Sequence, residues 1–126
     1  MNTQFAITLL ARIAIGATAV QSLHAQAKPP TYVITEIDIS NLDGYLKDYS
    51  PLAQASIQAA GGRRLAAGQN IIAFEGAPPK TRVAIQQFDS IEAAQAWRNS
   101  GQYKEARKIG DKYATFRSFA VEGLPQ

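Results

Sequence analysis

Cysteine is absent from the 126 residues, and the single histidine and single methionine are His24 and Met1. Beyond Ala27 the chain therefore offers neither imidazole nor sulfur. Cysteine nucleophiles, Ser-His-Asp triads, zinc sites of the His/Cys kind, iron–sulfur clusters and haem held by His, Cys or Met all need a side chain that this region lacks. Acidic residues are missing from residues 1–27 and recur regularly from Glu36 onward. This asymmetry predicts a signal peptide over residues 1–27: Arg12 serves as the positive end, Ile13 to Val20 as the apolar stretch, and Ala25-Gln26-Ala27 as the cleavage site. The apolar run is shorter than the roughly 20 residues needed to cross a bilayer, so cleavage into a periplasmic or secreted form, with no membrane attachment afterwards, is the expectation. A retained anchor or a transit peptide is the alternative. Charge of one sign is also scarce: 13 basic against 10 acidic residues leave a formal charge of +3. That balance favours solubility over a nucleic-acid partner.

What remains is one small domain. Residues 28–31 read as a linker, residues 32–123 as the domain and 124–126 as a tail. Tyr32 to Ile39 is rich in β-branched residues and ends in alternation, which predicts a strand. Leu42, Tyr45, Leu46, Tyr49, Leu52, Ala53, Ile57 and Ala60 fall mostly three or four apart, so an amphipathic helix follows, interrupted by Pro51 and ended by Gly61-Gly62. Arg63 to Ala67 and Ile71 to Phe74 are β-prone and form either one bent strand or a small hairpin. Arg82 to Phe88 is the next strand. A second helix carries Ile91, Ala94 and Trp97, breaks at Ser100-Gly101 and continues through Tyr103, Ala106 and Ile109 before a last strand over residues 115–121. The order β-α-β-β-α-β defines an α+β, ferredoxin-like subunit.

Tyr32-Val33-Ile34, Tyr45 and Tyr49, Gly61-Gly62-Arg63 with Leu65, Ala66 and Gly68, Glu75-Gly76, Arg82 with Phe88, Ala93-Ala94 with Trp97, Ser100 and Tyr103, and Val121-Glu122-Gly123 together resemble the DUF1330 family in order and spacing. The resemblance covers residues 32–123. It implies a subunit that pairs with a second copy into a dimeric α+β barrel, and little about a reaction, since the family is a domain of unknown function. The wider superfamily it resembles includes cofactor-independent monooxygenases, lactone isomerases, haem-handling enzymes and stress-response proteins. Gln86-Gln87 departs from the family's apolar-then-acidic pattern, which removes any role for a carboxylate at position 87.

Two sets of residues are candidates for function. Tyr45, Tyr49, Trp97 and Tyr103 form the apolar walls of a pocket for a small organic acid or aromatic ligand, with Arg63 as its polar anchor at the helix end. Glu36, Arg82 and Arg117 lie in three strands that the ferredoxin-like order makes neighbours, and are the candidate general acid or base for a cofactor-independent oxygenase or isomerase. A non-catalytic stress or interaction protein is the third reading. Ser100 is a helix cap and not a nucleophile, since no histidine can activate it. Lys104, Arg107, Lys108 and Lys112 form a basic face diluted by Glu105 and Asp111, and no cofactor or metal is expected. A homodimer is expected, because two helices cover one face of a four-stranded sheet; the other face would present Tyr32 or Val33, Ile34, Ala84 and part of residues 115–121.

Overall fold

In a computed structural model that describes residues 28–126, the strands are β1 (Thr31–Ile39), β2 (Arg63–Gly68), β3 (Arg82–Phe88) and β4 (Ala114–Glu122). They form one antiparallel sheet in the order β2-β3-β1-β4, which places the first strand between the third and fourth as the ferredoxin-like reading requires. The signal-peptide expectation lies outside the described residues. Thr31 already pairs with Phe88 and Glu122 and is fully buried, so the strand starts one residue earlier than the composition indicates.

The helical layer is built by local signals. Asn41 caps the short helix α1 (Leu42–Gly44) by accepting from the Gly44 amide at 3.0 Å. A π-helical turn, Tyr45–Tyr49, follows and leads into α2 (Ser50–Ala59). Pro51 sits in the first turn of α2 and has no amide proton, so the turn before it is freed from the ordinary ladder, and the Ser50 amide bonds to Tyr45 O instead. α2 ends in paired amide bonds, Gly62 to Ile57 O at 2.9 Å and Gly61 to Gln58 O at 3.0 Å, with Gly61 at φ +77°. Ser90 caps α3 (Ile91–Asn99) and Ser100 caps α4 (Gly101–Gly110), each accepting from the amide three residues on.

Strand parity divides the sheet into two faces. Val33 and Ile37 of β1, with Ala84, Gln86 and Phe88 of β3, are buried beneath the helices. Tyr32, Ile34, Val83, Ile85, Phe119 and Val121 project from the opposite, helix-free face, where Phe119 and Val121 are 46% and 52% exposed. The expected apolar open face is therefore there, but Val33 and Ala84 do not belong to it; their even or odd positions put them in the core. Residues 71–74 form no strand. Ile72 and Phe74 instead stand exposed in the irregular connection from β2 to β3.

Candidate functional site

The core beneath the sheet has two parts. Tyr45 and Tyr49 pack with Ile37, Ala84 and Ala106, their rings 5.2 Å apart. Trp97 and Tyr103 pack with Val33, Ile57 and Phe88; the Trp97 ring is 4.4 Å from Tyr103 and 5.2 Å from Phe88. All four expected wall residues are buried on the helix side, Tyr45 and Tyr49 in the first cluster and Trp97 and Tyr103 in the second. Trp97 is fixed by a buried hydrogen bond from its indole Nε1 to Ser56 Oγ at 3.0 Å, and Ser56 in turn donates to Ala53 O at 2.7 Å. Those two contacts mark Trp97 as a core residue.

Charge gathers at Tyr45. The Arg82 guanidinium lies over its ring, 5.7 Å from the centroid, and burial pushes the Tyr45 phenol up while the Arg82 and Arg64 charges partly offset the rise. Tyr49, beside Tyr103, is pushed up further, again chiefly by burial. Arg64 is half-buried, and loss of water lowers its affinity for its proton, an effect opposed by the neighbouring phenols. Neither Arg64 nor Arg82 forms a salt bridge among the described residues, and the buried Arg64 Nε has no hydrogen-bond partner there. Arg64 faces Gln86 across β2 and β3, and Gln86 Oε1 is likewise buried and unpaired; Thr31 Oγ1, at the Phe88 rung, is a third such atom.

This placement corrects the anchor. Arg63 is opposite Gln87 on the helix-free face and donates to Gln87 Oε1 at 3.1 Å, whereas the next residue, Arg64, turns toward the tyrosines. The catalytic trio is also divided. Glu36 pairs across β1 and β4 with Arg117 on the helix-free face, bordering a cleft of about 310 Å³ that includes Asp38, Lys80 and Phe116. Arg82 is opposite Ile37 and belongs to the other face, so it cannot reach Glu36. Adjacent positions on one strand point to opposite sides, and Glu36 has Val83, not Arg82, as its β3 neighbour.

At the outer end, Arg98 and Arg107 both donate to the Tyr103 hydroxyl, at 2.8 and 3.4 Å. Two members of the basic face are paired there, Arg107 with Asp111 and Lys108 with Glu105, both at 2.9 Å. Among the described residues no group of three or more His, Cys, Asp or Glu side chains gathers in a way that would hold a metal ion. Residues that sequence reasoning missed are Arg64 and Gln86; their only signal was their position, two and twenty-four residues beyond Gly62, whose own face they share.

A sheet of this order with its helices on one side defines a ferredoxin-like α+β subunit. The family model for DUF1330, a domain of unknown function, matches residues 30–124, and the chain belongs to that family. No curated protein sequence matches the chain. Among solved structures, the protein of unknown function RPA0582 from Rhodopseudomonas palustris superposes with a TM-score of 0.61 at 16% identity, over 86% of this chain and 94% of that one. SnoaB, a cofactor-independent oxygenase from Streptomyces nogalater, gives 0.55 at 11% identity, over 79% and 97%. A dimeric protein of unknown function with a ferredoxin-like fold from Bacteroides fragilis gives 0.50 at 14% identity, over 74% and 95%. At these identities the likeness is one of fold.

Proposed function

We propose that the protein is an exported, dimeric small-molecule-binding subunit whose ligand is a small organic acid held between helices and sheet at Tyr45, Arg64 and Arg82. The observation that carries this reading is the meeting of two arginines at one phenol with no carboxylate partner among the described residues. Cations drawn partly out of water without a counter-charge favour an anion that supplies one, and guanidinium geometry suits a carboxylate. β2 is a sheet edge, and Ala67, on the same face as Arg64, is exposed there. Titration calorimetry with monocarboxylates such as propionate and phenylacetate tests the reading. Arg64→Gln should weaken binding at least about tenfold, the scale of one charge-assisted hydrogen bond, while Arg63→Gln leaves it unchanged. Equal losses from both substitutions, or no binding by either acid, refute it.

The dimer rests on the helix-free face, whose apolar side chains need cover, and on the dimeric neighbour of like fold. Export rests on the acid-free residues 1–27, and the intact mass after expression in a bacterial host should correspond to a chain starting near Lys28. A second reading, a cofactor-independent enzyme, is favoured by the cleft at the Glu36–Arg117 pair. Under that reading any turnover disappears in Glu36→Gln and survives Arg82→Gln.

A further inference from the structure

The two unpaired atoms on neighbouring strands are complementary to each other and still do not meet. Arg64 and Gln86 are cross-strand partners on the helix side, so their side chains leave the sheet in the same direction. Arg64 Nε is a donor with no acceptor, and Gln86 Oε1 is an acceptor with no donor. Gln86 is 5% exposed, so bulk water does not serve it. A buried donor and a buried acceptor left open side by side cost free energy unless a third group satisfies both, and a guanidinium Nε can only donate while an amide oxygen can only accept.

Resting on the organic-acid reading above, we propose that the ligand is a hydroxy acid, its carboxylate received by Arg64 and Arg82 and its hydroxyl donating to Gln86 Oε1. A plain carboxylate answers the arginines and leaves the amide oxygen unmet. A keto acid is worse placed, since it brings a second acceptor to face the amide oxygen. A hydroxyl on the carbon next to the carboxylate supplies the missing proton within the reach of adjacent strands. The Tyr45 phenol, held in its neutral form by burial, adds a donor at the carboxylate end. Discrimination then comes from the amide: a site built to pair a hydroxyl rejects the analogue that lacks it, because the protein's own polar atom is stranded.

The experiment compares acids differing only at that carbon, in two sizes: propionate, lactate and pyruvate, and phenylacetate, mandelate and phenylglyoxylate, each titrated calorimetrically into the wild-type chain. In the size that binds, the hydroxy acid should be tighter than the unsubstituted acid by at least about tenfold, as expected for satisfying one buried acceptor. In Gln86→Leu that preference, taken as the ratio of the two affinities, should fall below about threefold. Equal affinities in the wild type, a keto acid binding tightest, or a preference that survives Gln86→Leu overturns the hydroxy-acid assignment and leaves the organic-acid reading standing. No binding in either series overturns the organic-acid reading itself. Should Gln86→Leu fail to fold by circular dichroism, the wild-type ranking of the three acids decides alone.

Discussion

Replacing Ser56 by alanine tests whether the core under the sheet is organised by one buried hydrogen bond. Ser56 is 2% exposed and Trp97 3%, and the indole Nε1 donates to Ser56 Oγ at 3.0 Å. Removal of the hydroxyl strands an indole N–H that neither water nor another described side chain serves, at about 1–3 kcal/mol. Alanine returns about 0.5 kcal/mol through its better helix propensity in the middle of α2. The net expectation is a loss of about 1–2 kcal/mol. At about 4–8 °C per kcal/mol for a domain of this size, the melting temperature should fall by about 5–15 °C. Thermal and urea unfolding followed by circular dichroism measure this, at one protein concentration because an oligomer melts in a concentration-dependent way. A double-mutant cycle isolates the bond: in a Trp97→Phe background no N–H is left to strand, so Ser56→Ala should then cost nothing or stabilise slightly. If Ser56→Ala is as stable as the wild type, or costs the same in both backgrounds, the hydrogen bond does not organise this core.

Three further outcomes follow from the same geometry. Sedimentation should give twice the monomer mass at micromolar concentration, and Ile34→Glu with Phe119→Glu, both on the helix-free face, should give monomers; dimers unaffected by the pair of charges would place the interface elsewhere. Gly62→Ala should destabilise by about 1–3 kcal/mol, because its Cβ would lie 2.5 Å from the ring of Phe88, while Gly68→Ala, which meets nothing within 4 Å, should be neutral or slightly stabilising in urea titrations. Because burial raises Tyr45 and Tyr49 in the folded chain above their usual 10.0, folding protects their protons; that stabilisation is complete below pH 10 and is lost as pH climbs past it, so phenolate absorbance from these two should appear only together with unfolding.

Signals repeated along the chain were legible in the sequence, and features that turn on one residue were not. Strand and helix order followed from alternation, from the 3.6-residue spacing of residues 42–60 and from the glycine pair at 61–62, and each of these survives a slip of a residue or two. Ser100 read as a cap because serine before glycine and without a histidine has little other use, and its Oγ does accept from the Tyr103 amide at 3.1 Å. Ile71–Phe74 misled because β-branched and aromatic residues mark burial as much as strand, and here the connection leaves Ile72 and Phe74 exposed on an unpaired loop. The π-helical turn at Tyr45–Tyr49 had one legible cause, Pro51, but spacing alone cannot separate a kink from a widened turn.

The site was less legible because it depends on strand parity, and parity shifts all its members at once. Arg63 and Arg64 are adjacent, so composition cannot choose between them. Gly62 makes the choice in the structure. The ring of Phe88, buried on the helix side, occupies the place a Cβ at residue 62 would need, and this sets residue 62 on that side. Arg63 must then face away and Arg64 must face in, before the bulge between Arg64 and Ala66 takes up Leu65 and resets the count. The same rule separates Arg82 from Glu36, since Arg82 shares its face with Ala84, Gln86 and Phe88. A glycine pressed against a ring thus determines which arginine meets the tyrosines. Loss of that contact in Gly62→Ala should therefore reach acid binding at Arg64 as well as stability, which a purely local packing role would not do.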